Sequence, residues 1–209
     1  MVDMATPRTR SSGQVGRPGY DLDSLLTVAV GVFNQRGYDG TSMEDLSKRL
    51  GISKSSIYHH VSSKEELLRL AVDRALDALF AATEAPDTTT GPAIDRLENL
   101  VKRSIEVLAQ ELPYVTLLLR IRGNTTTERR ALARRRELDD IVGNLVEEAC
   151  NEGSIRAGVD PGLTSRLIFG TVNSLIEWYR PSRTLAADEV SEAVTTMIFD
   201  GLRTRPAAH

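Results

Sequence analysis

The stretch TSMEDLSKRLGISKSSIYHHVSSKEELL, from Thr41 to Leu68, constrains this chain most, because it opens a helix three times in succession. Thr41-Ser42-Met43-Glu44 has the form of a capping box, in which a hydroxyl and a carboxylate satisfy the free amides of a helix start. Met43, Leu46 and Leu50 then share one helical face. Gly51 stops the helix where a positive φ is needed, and Ile52 keeps an apolar contact across the turn. Ser53 caps a second helix whose strongly apolar members are Ile57 and Val61, so only one edge of it is expected to be buried. Its other face presents Lys54, Ser55, Ser56, Tyr58, His59 and His60, which are donors and aromatics with no acid among them. Ser63-Lys64-Glu65-Glu66 caps the third helix. The pattern predicts a tight helix-turn-helix.

A second helix that is short, thinly apolar and rich in donors at its first turn is what reading the major groove of DNA requires. The competing reading is a plain helical hairpin in a bundle, whose solvated face would normally mix in acids. At Gly37-Tyr38, Gly40-Thr41-Ser42, Leu46, and the run from Leu50 to Leu67 the sequence resembles the DNA-binding domain of the tetracycline-repressor (TetR) family of bacterial regulators. The resemblance spans Leu22 to about Leu70, and the rest of the chain is similar only in general character. It implies an all-α, two-domain regulator. A helix-turn-helix three-helix bundle would occupy residues 21–68, and a helical ligand-binding and dimerisation domain residues 69–209. It further implies a homodimeric repressor that binds a near-palindromic double-stranded operator and is released by a small-molecule effector. By the same resemblance Lys54, Ser55 and Ser56 are placed for base edges, and Thr41, Ser42, Tyr58, His60 and Lys64 for phosphates.

Charge supports that placement. The net charge of -3 divides into eight Lys/Arg against six Asp/Glu through Lys64, giving +2, and -5 for the remainder. Three of the four lysines, Lys48, Lys54 and Lys64, lie inside the motif. Residues 1–20, with Arg8, Arg10 and Arg17 among Ser, Gly and Pro, read as a disordered, mildly basic arm, either inert or able to reach phosphate or the minor groove. No apolar run approaches the roughly 20 residues of a membrane span, and no signal-peptide core is evident, so a cytoplasmic protein, nucleoid-associated when on DNA, is expected.

Along the chain, Asp21 or Asp23 starts a bracing helix that ends at Gly37, and Ser63 starts a long helix to about Thr83. Glu84 to Pro92 reads as a linker. Helices follow over Ala93–Gln110, Tyr114–Ile121, Thr125–Asn151, Pro161–Tyr179 and Ala187–Arg203, for nine helices and no sheet. The helix before Tyr179 is apolar nearly all round, and the last carries an i, i+3, i+4 stripe. Leu167, Val190, Val194, Met197 and Ile198 are therefore expected at the interface with a second subunit.

Catalytic and metal chemistry finds little support. The histidines are His59, His60 and His209, Cys150 is the sole cysteine, and no zinc or di-iron spacing occurs, so no metal and no cofactor are expected. One unusual feature remains outside the hairpin. Arg120, Arg122, Arg129, Arg130, Arg134, Arg135 and Arg136 lie together, with Glu128 the only acid between the first and last. This is either a solvated helix face or a site for a phosphate-bearing effector, which arginine forks bind bidentately. Trp178-Tyr179-Arg180-Pro181 resembles a W-Y-x-P turn in family branches that respond to acyl-coenzyme A esters. The expected ligand site is an apolar pocket with a basic rim, formed by Tyr114, Leu118, Phe169, Asn173 and Trp178 with Arg129, Arg130 and Arg134. An all-α enzyme and a helical interaction module without specific DNA binding stand as the alternatives.

Overall fold

A computed structural model describes residues 21–181 and 185–203; the basic arm expected over residues 1–20 lies outside them. The described residues form ten helices. The first four are α1 (Leu22–Arg36), α2 (Met43–Leu50), α3 (Lys54–Tyr58) and α4 (Lys64–Thr83). They are followed by α5 (Pro86–Thr89), α6 (Ala93–Gln110), α7 (Leu112–Arg120), α8 (Thr126–Asn151), α9 (Pro161–Trp178) and α10 (Ala187–Leu202). No strand occurs among the described residues; Ile155 and Arg203 form one isolated bridge. No helix there is long and apolar enough to cross a membrane.

The tenth helix is α5, inside the segment expected as a linker. Pro86 suits the first turn, and the Thr88 hydroxyl meets the carbonyls of Ala82, Thr83 and Ala85 at 2.8–3.1 Å. The threonine run thus supplies the hydrogen bonds that keep a single turn closed. The first capping box also shifts by one residue from its expected register. Ser42, not Thr41, caps α2, with Asp45 as its reciprocal partner. Thr41 is buried, and its hydroxyl donates to the Gly37 carbonyl at 2.7 Å, closing the preceding turn. Glu44 is thereby left free for other partners.

Helix α4 ties the parts together. Its 20 residues reach about 30 Å, packing on α1 and on α6, α7 and α8. Leu67, Leu68, Ala71, Val72, Ala75 and Leu76 are all buried along it. Helices α8 and α9 pair, whereas α10 packs mainly on α6 of the same chain. Gly51 ends α2 at φ 68°, in the left-handed region, with its amide bonded to Ser47 O at 2.9 Å. Space is not the constraint there, since an added Cβ would meet nothing within 4 Å. Gly51→Ala should cost about 1 kcal/mol of stability through backbone strain alone. Urea denaturation checks this, and an unchanged midpoint would contradict the left-handed turn.

Candidate functional site

The edge expected to meet DNA is built from a tight turn and a very short helix. The Ser47 hydroxyl donates to Ile52 O at 2.7 Å, stapling the α2–α3 turn from inside. Ser53 caps α3 by accepting from the Ser56 amide at 3.1 Å. Ile57 and Val61 are buried and anchor α3, so the helix is held by one edge. Lys54, Ser55, Tyr58, His59 and His60 lie exposed, with Ser56 partly covered. The acid that the α3 sequence lacks comes from α2. Glu44 accepts from Lys54 Nζ at 2.8 Å and lies 3.2 Å from Lys48 Nζ. The Lys54 and Lys48 ammoniums hold the Glu44 carboxyl below the usual carboxylate range, and Glu44 in turn raises Lys54. Such an exposed pair contributes little stability, so Lys54 can exchange its partner for a base or phosphate at small cost.

Two residues expected at phosphates have polar groups engaged inside the protein. Lys64 Nζ donates to Tyr38 O at 2.9 Å and Thr41 O at 2.8 Å, and sits 4.2 Å over the Tyr38 ring. It braces the entry to α2, while the Thr41 hydroxyl is directed to Gly37 O. Ser42 is exposed but caps α2. Desolvation, with the Glu65 charge adding to it, pushes the Tyr38 hydroxyl up to about 12.

A second feature lies among the C-terminal helices. A small, mostly apolar cavity of about 50 Å³ is lined by Leu79, Leu108, Val115, Leu118, Val142 and Val172. Arg135, Asp139, Phe169 and Asn173 border both this cavity and an open groove of about 960 Å³ between α8 and α9. The groove adds Arg136 and Arg166, together with Asp140 and Glu147. Arg135 is partly buried, and its Nη1 reaches only the Leu118 carbonyl at 3.4 Å; among the described residues it makes no ion pair. Burial lowers its pKa, with Asp139 opposing; burial likewise raises Asp139, with Arg135 opposing.

Of the residues expected around an effector, Leu118, Phe169 and Asn173 border this cavity. The others do not line it. Tyr114 is buried with its hydroxyl 3.2 Å from Thr27 of α1. Arg129 folds back on Gly123 O and Asn124 O at 3.3 Å each. Arg134 meets Asp77 at 2.9 Å and Asp73 at 3.5 Å and covers the Phe80 ring at 4.9 Å. Arg130 is exposed on α8, and Trp178 is exposed at the end of α9. Glu128, the lone acid of the cluster, is buried as the capping-box partner of Thr125, which caps α8, and accepts from the Thr125 and Arg122 amides. Arg135, which borders both the cavity and the groove, is the cluster's inward-facing member. Its signal was its phase, since it precedes Leu138 and Val142 on the inward stripe of α8.

On the outer surface, Leu163 and Leu167 of α9 and Met197 of α10 are 55%, 62% and 64% exposed. Val190 and Val194, expected at a subunit interface, are buried within their own chain because α10 packs on α6; Ile198 is half-covered.

The geometry has counterparts in known proteins. Residues 25–71 match the family model described as bacterial regulatory proteins, tetR family, and residues 90–202 that described as tetracyclin repressor-like, C-terminal domain. The HTH-type transcriptional repressor KstR2 of Mycobacterium tuberculosis is 31% identical over 202 residues, covering 92% of this chain and 96% of that protein. A solved structure of that ketosteroid transcriptional regulator superposes with a TM-score of 0.81 at 26% identity, covering 94% of this chain and 100% of the other. SCO3833 from Streptomyces coelicolor A3, a member of the TetR transcriptional regulator family, is 54% identical, with a TM-score of 0.82 and coverage of 93% and 97%.

Proposed function

The chain belongs to the tetR family of bacterial regulatory proteins, and from that membership we propose a homodimer that reads a near-palindromic operator with α2 and α3 and leaves it when an effector enters beside Arg135. It is a ligand-responsive, DNA-binding transcriptional repressor; its relatives are regulators and not enzymes. We take residues 21–68 as the reading module and residues 69–209 as the ligand and dimer module, with α4 continuous across the division. Lys54, Ser55 and Ser56 address base edges, and Ser42, Tyr58 and His60 address phosphates, with Lys64 and Thr41 bracing the turn that presents them. Working on DNA, the protein acts in the cytoplasm and is nucleoid-associated when bound.

The observation that carries the effector reading is Arg135. A partly buried guanidinium with no ion pair among the described residues, at the join of an apolar cavity and a wide polar groove, suits a ligand with a greasy body and an anionic head. An acyl-coenzyme A thioester has that form, its acyl chain entering past Leu118 and Phe169. At about 50 Å³ the cavity is far below the roughly 300–1,000 Å³ of ligand pockets. Entry must therefore part α7, α8 and α9, and that displacement is what couples ligand to DNA. Titrating the protein–operator complex with acyl-coenzyme A esters of graded chain length, beside the matching free acids, tests this. Release by the thioesters is expected, weakened about tenfold or more in Arg135→Gln, as losing a charge-assisted hydrogen bond implies. Release by the free acids alone would assign a simple acid, and release by neither would remove the acyl class.

A further inference from the structure

Arg74 is one side chain on which the reading module and the cavity wall meet. It leaves α4 and grips the corner between α6 and α7 with one edge of its guanidinium. Nε donates to Glu111 Oε2 at 2.8 Å and Nη2 to Glu111 Oε1 at 3.0 Å, the bidentate fork that gives such pairs their fixed geometry. The remaining nitrogen turns to α1, where Nη1 donates to Asp23 Oδ1 at 2.9 Å. The guanidinium carbon stacks 4.3 Å above the Tyr114 ring. The Tyr114 hydroxyl lies 3.4 Å from Arg74 Nη1 and 3.2 Å from Thr27 Oγ1 of α1. One planar cation thus fixes α1, α4 and the start of α7 against one another.

Helix α7 has two faces with different attachments. Val115, Leu118 and Leu119 border the small apolar cavity. Pro113 and Tyr114 meet α1, through Asn34 Nδ2 to Pro113 O at 2.8 Å and through the Thr27 contact. Beyond its far end, Asn124 Nδ2 donates to Asp39 Oδ2 at 2.8 Å. Any widening of the cavity that moves α7 is therefore delivered to α1, and α1 carries α2 and α3 through their shared buried core.

We propose that Arg74 is a positioning residue for DNA recognition: its grip on Glu111, Asp23 and Tyr114 sets the pose of the reading module on the ligand module. In a dimer that pose fixes the distance between the two reading helices, and hence the half-site spacing accepted. Arg74 itself touches no DNA in this account. The proposal rests on the assignment of α2 and α3 as the reading head, but its first test does not.

Spin labels placed through Arg49→Cys on α2 and Glu137→Cys on α8, in a Cys150→Ser background, report the distance between the modules within one chain. Labelled protein is diluted into unlabelled protein so that only intrachain pairs count. A narrow distribution is expected with Arg74, broadening at least about twofold in Arg74→Ala, as a freed hinge would give. Arg74→Lys, which keeps the charge but not the fork, should give an intermediate width, and Glu111→Gln should broaden the distribution with the arginine still present. A width unchanged in Arg74→Ala and Glu111→Gln proteins that retain their helical circular dichroism overturns the proposal. On selected operator DNA, inserting two base pairs between half-sites should weaken the parent about tenfold and Arg74→Ala markedly less, within the usual range of coupling energies. Half-site base preference should be unchanged. Equal spacing penalties in the two proteins overturn the proposal, whereas failure of the parent to select any operator would overturn the reading-head assignment and leave the distance result to decide the clamp.

Discussion

Leu167→Glu combined with Met197→Glu should yield a monomer whose operator affinity is about a hundredfold or more below that of the parent. Both side chains are largely exposed in the single chain, so the charges are tolerated within the subunit. In a two-fold dimer each position occurs twice, and burying four carboxylates without partners is strongly unfavourable. Loss of the second reading head turns an intramolecular half-site contact into a bimolecular one, which accounts for a factor of about 10² to 10⁴. Val194→Glu is the wrong test, because Val194 is 8% exposed in its own chain and a charge there would damage the α6–α10 packing. Light scattering and electrophoretic mobility on operator DNA check the double variant. A dimer that persists would move the interface off α9 and α10.

Lys54→Ala should alter base preference at one position of each half-site by about 1–3 kcal/mol. Lys54 stands at the first turn of α3 and, among the described residues, is held by an exposed Glu44 contact at 2.8 Å, so its ammonium is available when DNA arrives. Removing it also leaves Glu44 facing the groove with Lys48 as its remaining partner at 3.2 Å. Tyr58→Phe should behave differently, weakening all sequences alike, since a phosphate contact carries no base information. Binding to operator variants with one half-site position changed at a time separates the two. Equal losses on operator and random DNA for Lys54→Ala would remove it from base reading.

The caps at Ser53 and Ser63 and the stop at Gly51 were legible because each depends on residues three or four apart. The cap of α2 was ambiguous in sequence, since Thr41 and Ser42 stand beside Glu44 and Asp45 in the same order. The burial of Thr41 resolves it in favour of Ser42. Lys64 could be recognised as a motif lysine, but its carbonyl partners at Tyr38 and Thr41 lie 26 and 23 residues back, beyond any local pattern. Tyr114 belongs to an apolar run, yet its hydroxyl partner is 87 residues away on α1. Of the stripe on α10, Val190 and Val194 are covered by α6 and Met197 is exposed; periodicity says that a face tends to be covered and not whether the cover is α6 or a second subunit. The arginine cluster illustrates the same limit. Composition marks seven arginines alike, whereas helical phase and tertiary partners send Arg134 to α4, Arg129 to its own turn and Arg135 to the cavity.

Selection of DNA fragments from a random pool by the purified protein, repeated at two salt concentrations, tests the central claim that α2 and α3 form a dimeric reading head. Enrichment of a near-palindromic sequence is the expected result, with half-sites about one helical turn or a multiple of it apart and affinity falling steeply with salt. Recovery of no sequence above the starting pool, with binding to every fragment equally weak, would contradict it.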